Sequence, residues 1–223
     1  MTNVEQLKQS IIDADKIREE IEGEGVVGAT KRKVEGLITA ALKEGTPAES
    51  VINDGLIAGM DVVGARFKKN EIYIPEVLLA ARAMKMGMDF LQPEIIKAGI
   101  KPIGKCLVGT VQGDLHDIGK NLVAMMLKGA GFEVVDLGVD VGPDNFVEQA
   151  KTQSVQVVGM STLLTTTMPA IEKALKAIKD AGVSVKIMIG GAPVTQDYAD
   201  KIGADGYAAD AASAVDLAKS LLS

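Results

Sequence analysis

Tryptophan is absent from this sequence of 223 residues, and there are only three tyrosines and four phenylalanines. The core must therefore be packed from aliphatic side chains and from the ten methionines. A single cysteine, Cys106, excludes an intramolecular disulfide and any zinc site built on several thiolates. In its apolar run it reads as a small buried strand residue. Positive charge is also in short supply: 24 basic against 30 acidic residues leave a formal charge of −6. The one basic cluster, Lys31-Arg32-Lys33, reads as a solvated helix face, so nucleic acid is not an expected partner. No apolar run is long enough to span a bilayer, and the chain opens on a polar helical pattern without an apolar leader core. A soluble, cytoplasmic protein without a membrane partner is expected. Histidine occurs once, as His116, so a site that uses imidazole has one possible place.

What is present falls into two halves with different periods. In residues 1–91 the apolar positions recur at helical spacing. Val4, Leu7, Ile11, Ala14, Ile17 and Ile21 form one stripe, ended by Gly23 and Gly25. Val34, Leu37, Ile38, Ala41 and Leu42 form a second. A third helix is expected to open at Thr46-Pro47-Ala48-Glu49, with Thr46 and Glu49 as a capping box and Pro47 at the first helical position. It continues through Ile52, Leu56, Met60 and Val63. The fourth runs from Pro75 through Val77, Ala81, Met84, Met88 and Leu91. Met84, Met86 and Met88 read as core filler rather than metal ligands. The expectation is a four-helix bundle followed by a linker at 92–102.

From 103 to 223 short apolar runs alternate with helical segments. Strands are expected at 106–110, 133–136, 155–160, 186–189 and 206–208, with helices near 120–129, 144–152, 168–181, 196–202 and 211–222. Five strand–helix repeats imply an α/β domain: a flavodoxin-like, Rossmann-like five-stranded parallel sheet in the order 2-1-3-4-5. Ligands of such sheets bind beyond the carboxyl ends of the strands, where the strand order reverses. Three loops converge there. The first, after strand one, carries Asp114 and His116. The second is the hydroxyl-rich run Ser161-Thr162-Leu163-Leu164-Thr165-Thr166-Thr167. The third is Gly190-Gly191-Ala192-Pro193.

Asp114-x-His116-x-x-Gly119, Ser161-x-Leu163 and Gly190-Gly191 together resemble the cobalamin-binding signature of corrinoid proteins and methionine synthase. The intervals, 41 residues from Gly119 to Ser161 and 26 from Leu163 to Gly190, agree with that family. In the helical half, Gly64-Ala65-Arg66-Phe67 and Glu71-Ile72-Tyr73-Ile74-Pro75-Glu76 resemble the family's methyl-cap bundle. In length and arrangement the chain is similar to the corrinoid proteins of methylamine, methanol and methoxy-compound methyltransferase systems.

The resemblance implies a corrinoid cofactor, cobalamin with its cobalt, alternating between methylcobalamin and cob(I)alamin. It implies that His116 replaces the cofactor's own base as the lower cobalt ligand, with Asp114 and the hydroxyl of Thr167 as a relay behind it. Ser161, Leu163, Thr165, Gly190, Gly191 and Ala211 match positions along the nucleotide tail, and Gly119 lies close to the corrin. Phe67 and Ile74 match the apolar cap over the methyl group. Asn53 stands where the family has Glu, which departs from its bundle contact to the corrin. The implied role is a methyl carrier, not catalytic on its own. A substrate:corrinoid methyltransferase loads it, and a corrinoid:tetrahydrofolate or coenzyme M methyltransferase unloads it. A reductive activase is a further expected partner, and 92–102 is the expected hinge. A cobalamin-sensing regulator is the alternative, which would need a DNA-binding module that the early start of the first helix leaves no room for. A mutase subunit is a third reading, disfavoured by the Phe67–Ile74 cap.

Overall fold

Thr2 opens the first helix by a reciprocal cap: its Oγ1 accepts the Glu5 N–H, while the Glu5 carboxylate accepts the Thr2 N–H at 2.7 Å. The computed structural model describes residues 1–14 and 25–223, in two compact units, Met1–Lys101 and Pro102–Ser223. The first unit is helical: α1 (Asn3–Ile12), α2 (Gly25–Lys43), α3 (Ala48–Ser50), a π-helical stretch Val51–Ile57, α4 (Ala58–Lys68) and α5 (Ile74–Ala98). Leu7, Ile11, Val34, Ile38, Ala41, Leu56 and Val77 are fully buried, so the helical stripes read from the sequence face the core. The expected continuation of the first stripe through Ile17 and Ile21 to Gly23 lies outside the described residues.

Three details of this unit differ from the sequence reading. The Thr46–Glu49 capping box does not form, because Thr46 completes the end of α2. Its N–H bonds the Ala41 carbonyl and the Gly45 N–H bonds the Leu42 carbonyl, the paired closure of a helix that ends on a left-handed glycine. Pro47 then sits one place earlier than expected, at the N-cap of α3. The third helix also contains a seven-residue π segment, where wider turns admit an additional residue without ending the helix. Finally, α5 continues through Pro93 to Ala98, so residues 92–98 are helix rather than linker. Gly99, at φ +66°, and Ile100 close it through the Ile96 and Ile95 carbonyls.

The second unit alternates strand and helix: β1 (Lys105–Thr110), α6 (Ile118–Gly129), β2 (Glu133–Asp136), α7 (Pro143–Thr152), β3 (Val157–Ser161), α8 (Met168–Asp180), β4 (Lys186–Gly190), α9 (Gln196–Ile202), β5 (Gly206–Ala208) and α10 (Ala211–Leu221). All pairings are parallel and the order is β2-β1-β3-β4-β5, as read from the sequence. Cys106 through Thr110 are buried without alternation, as in a central parallel strand covered on both faces. Phe146, one of the few aromatic residues, is fully buried and lies against Gly109, where a Cβ would come within 2.9 Å of its ring. The register brings Thr110, Ser161, Gly190 and Ala208 side by side at the carboxyl ends of four adjacent strands. The strand order reverses between β1 and β3, and the loops after these two strands meet there.

Candidate functional site

Asp114 is fully buried in the loop after β1, and the groups around its carboxylate are hydrogen-bond donors. Its Oδ1 accepts the backbone N–H of His116 at 3.0 Å and lies 2.7 Å from the ring nitrogen Nδ1 of the same residue. Its Oδ2 accepts the Leu163 N–H at 2.6 Å, with Thr162 Oγ1 at 2.9 Å and Thr167 Oγ1 at 3.0 Å. Burial alone would push this carboxyl up. The hydrogen bonds from Leu163, His116 and Thr162 outweigh that and hold it well below the usual carboxylate range.

An ionised carboxylate can only accept, so the proton in the 2.7 Å contact belongs to Nδ1 of His116. In the neutral ring that fixes the tautomer, with the lone pair on Nε2. The imidazole is half exposed (51%), although its carboxylate partner is buried. A one-sided anchor of this kind, with the second nitrogen presented outward, is how histidine is prepared to ligate a metal. The His116 carbonyl is held as well, by the buried Thr110 hydroxyl at 2.9 Å. From the other side, Asp140 Oδ1 accepts the Gly113 N–H at 2.7 Å and the Asp140 N–H bonds the Asp114 carbonyl.

Below the histidine loop, Lys120 in the first turn of α6 is buried. Its ammonium donates to both carboxylate oxygens of Asp136 at 2.6 Å and to Asn121 Oδ1. Asp136 in turn accepts the Gly138 N–H, and the Gly138 carbonyl accepts the Thr110 N–H. The ion pair thus fastens α6 and the loop after β2 to the strand that leads into the site.

The sequence reading had not singled out Thr162, Thr110, Asp140 or the Lys120–Asp136 pair. Each is a polar residue in an otherwise apolar stretch or turn, yet which of them would turn inward depends on the register between strands. Of the residues that had been singled out, Asp114, His116, Leu163 and Thr167 come together as described. Ser161 is half-buried at the end of β3, level with Gly190. Gly191, at φ +124°, lies so close to the Thr162 carbonyl that a Cβ would fall 1.8 Å from its oxygen. Thr165 is exposed in a short 3₁₀ turn before α8, and Ala211 is buried at the start of α10. A Cβ on Gly119 would meet no protein atom within 4 Å. In the helical unit Phe67 is half-buried, whereas Ile74 and Asn53 are exposed.

These residues fit a corrinoid. His116 offers one imidazole nitrogen, a donor suited to a metal that brings its other ligands with it, and among the described residues no group of three or more His, Cys, Asp or Glu is placed to hold an ion. The surface around the imidazole suits a macrocycle. Leu115 and Ile118 are 72% and 74% exposed, and Leu163 and Leu164 lie open beside them. Exposed aliphatic side chains grouped in neighbouring loops are the kind of surface that binds an apolar face.

Comparison with known proteins agrees. Residues 104–216 match the family described as the B12 binding domain, and residues 24–92 match a second family of the same description. The dimethylamine corrinoid protein 3 of Methanosarcina acetivorans is 41% identical over all of this chain and all of its own length. A cobalamin-binding protein of Desulfitobacterium hafniense superposes with a TM-score of 0.77 at 28% identity, covering 99% of both chains. The methanol:cobalamin methyltransferase complex MtaBC of Methanosarcina barkeri gives 0.81 at 26% identity, over 99% of this chain and 79% of that one. In sequence and in fold, this chain belongs to the B12-binding corrinoid proteins.

Proposed function

We propose that this protein is the methyl carrier of a cytoplasmic methyltransferase system and holds cobalamin with its own base displaced and His116 in its place. The observation that carries this reading is the single imidazole with Nδ1 held by a buried carboxylate and Nε2 left to ligate. When bound, the corrinoid supplies a cobalt centre that accepts a methyl group from one partner and yields it to another. The protein residues do the rest. Asp114 and Thr167 hold the ring in one tautomer and one orientation. Leu163, Gly190 and Gly191 would lie along the displaced nucleotide tail beyond β3 and β4, with Ser161, Thr165 and Ala211, the two glycines letting the neighbouring backbones pack closely there. Gly119 leaves room against the corrin. Phe67 and Ile74 of the helical unit would supply the apolar cap that the family resemblance implies.

The reading divides the work between chains. The substrate is selected by a separate substrate:corrinoid methyltransferase, and the methyl group leaves through a second enzyme with tetrahydrofolate or coenzyme M as acceptor. A reductive activase restores carriers oxidised in side reactions. Catalysis belongs to these partners, not to this chain.

The test is reconstitution. The purified protein should bind cobalamin stoichiometrically, and its Co(II) form should show hyperfine coupling to one imidazole nitrogen. His116→Ala should lose that coupling and shift the absorption spectrum. A His116→Ala variant with the wild-type spectrum, or a wild-type protein that takes up no corrinoid, would overturn the reading.

A further inference from the structure

The hydroxyl behind Asp114 is not one residue but two. Thr162 is 1% exposed, sits immediately after β3, and places its Oγ1 2.9 Å from Asp114 Oδ2. Thr167, 9% exposed, reaches the same oxygen at 3.0 Å from the turn before α8. The two hydroxyl oxygens are 2.5 Å apart. At that separation a hydrogen must lie between them, because two oxygens without one would repel. The pair owns two hydroxyl hydrogens. One is committed to the contact between the threonines, which leaves one to be shared between Asp114 Oδ2 and the Leu164 carbonyl, 3.0 Å from Thr167 Oγ1 and 3.4 Å from Thr162 Oγ1. The charged carboxylate oxygen is the stronger acceptor and takes it. Either threonine can deliver it: Thr162 donates to Oδ2 while Thr167 donates to Thr162, or the order is reversed. The distances to Oδ2 are nearly equal, so either threonine is placed to deliver it, although the Leu164 carbonyl lies nearer to Thr167 than to Thr162.

The backbone makes Thr162 a fixed member of this pair. Its N–H donates to the Gly190 carbonyl at 3.2 Å, and its own carbonyl is covered by the Cα of Gly191, where no side chain fits. Its side chain is thereby directed inward rather than toward the open mouth.

We propose that Thr162 is a positioning residue for the imidazole, sharing with Thr167 the task of presenting one hydroxyl hydrogen to Asp114. The consequence is redundancy. Loss of either hydroxyl frees the other from the pair contact to serve Oδ2. Loss of both leaves that oxygen to the loop amides alone, and the carboxylate that orients His116 is no longer held from behind. The inference rests on the cobalt-ligand reading of His116, but it can be tested apart from it.

Because the chain has one histidine, the ring nitrogens of selectively labelled apo-protein give one unambiguous pair of NMR signals. Thr162→Val and Thr167→Val are compared singly and together, with Thr162→Ser as the variant that keeps the hydroxyl and Thr162→Ala as a second deletion in case valine does not fold. In the apo-protein each single deletion should preserve the Nδ1–H tautomer, and the double variant should show a mixture. In the Co(II) form each single variant should keep its His-ligated fraction within about twofold, because the remaining hydroxyl still reaches Oδ2 and the two changes are coupled rather than additive. The double variant should lose about tenfold or more in His116 ligation, the range for removing an outer partner of a ligating histidine. Thr162→Ser in the Thr167→Val background should restore the single-variant behaviour. If Thr167→Val alone matches the double variant, or if the double variant keeps the wild-type tautomer, Thr162 has no such role. If the wild-type protein shows the tautomer but no cobalt–nitrogen coupling, the carrier reading fails while the threonine result still stands.

Discussion

His116 Nδ1 lies 2.7 Å from Oδ1 of Asp114, and the backbone N–H of the same histidine bonds that same oxygen at 3.0 Å. Ring and backbone are therefore clamped by one atom. The imidazole can neither rotate freely nor change tautomer without breaking a bond that its own loop depends on. On the opposite oxygen the Leu163 N–H, at 2.6 Å, ties the clamp to the loop after β3.

The first prediction follows from those two amides. An asparagine at 114 has one oxygen and one NH2 group, and each of its two orientations sets the NH2 against a backbone N–H that cannot become an acceptor. Asp114→Asn should therefore cost about 1–3 kcal/mol, the usual penalty for a buried donor left unsatisfied. With its NH2 toward the ring it would force Nδ1 to accept, which moves the proton to Nε2 and removes the ligating lone pair. Urea unfolding and the single imidazole signal pair measure both effects. A wild-type midpoint together with an unshifted tautomer would refute the clamp.

Cys106 gives a prediction in pH. Burial pushes its thiol up to about 12 from an ordinary value of 9.0. The folded state keeps the proton where the unfolded chain releases it, so the unfolded state binds fewer protons above pH 9. Stability from this group is fully present below that pH and is lost as pH rises toward 12, by about 1.4 kcal/mol per unit. Wild type should therefore fall behind Cys106→Ala between pH 9 and 10. In native conditions at pH 8 the thiol should resist alkylation until the α/β unit unfolds. Rapid labelling of the native protein would show that the strand is not closed.

Much of the architecture was legible because the signals are periodic. Val4, Leu7 and Ile11 at helical spacing, and the unbroken apolar run from Cys106 to Val108, specify a buried face and a doubly covered strand with few alternatives. His116 was legible through scarcity. Thr162 was not, because a hydroxyl in a run of hydroxyls reveals nothing about direction; only the register of Ser161 against Gly190 turns its side chain inward. Thr46 misled for a related reason. A threonine between two helices can cap the second or complete the first, and the left-handed Gly45 decided for the first. The π turn at Val51–Ile57 left no sequence mark, since its buried residues Val51, Ile52, Gly55 and Leu56 recur at intervals that an α-helix would also give.

The Lys120–Asp136 pair supplies a third test. Lys120 is buried while the Asp136 side chain is one-third exposed, so the two partners are not equivalent. Asp136→Ala strands an ammonium in the core and should cost about 3 kcal/mol, at the low end for breaking a buried pair. Lys120→Met leaves a carboxylate that water can still reach and should cost less. The double variant should recover part of the loss from Asp136→Ala. Chemical denaturation of the four proteins decides, and equal penalties for the two single variants would contradict the asymmetry.

The glycines separate folding from binding. At Gly191 a Cβ would overlap the Thr162 carbonyl, and φ +124° is a conformation that side chains avoid, so Gly191→Ala must displace the loop after β4. Stability and corrinoid affinity should fall together. Gly119 behaves differently. It lies in the first turn of α6 with no protein atom near a Cβ, and replacing glycine by alanine in a helix gains up to about 1 kcal/mol. Gly119→Ala should leave the apo-protein as stable as wild type or more so. Gly119→Leu, whose Cβ likewise meets no protein atom within 4 Å, should fold as well, yet bind cobalamin far more weakly. Thermal denaturation of the apo-proteins, set beside cobalamin binding measured by absorption, distinguishes the two positions. If Gly119→Leu binds as tightly as wild type, the space above α6 is not where the corrin rests, and the ring must approach His116 from the Leu163 side alone.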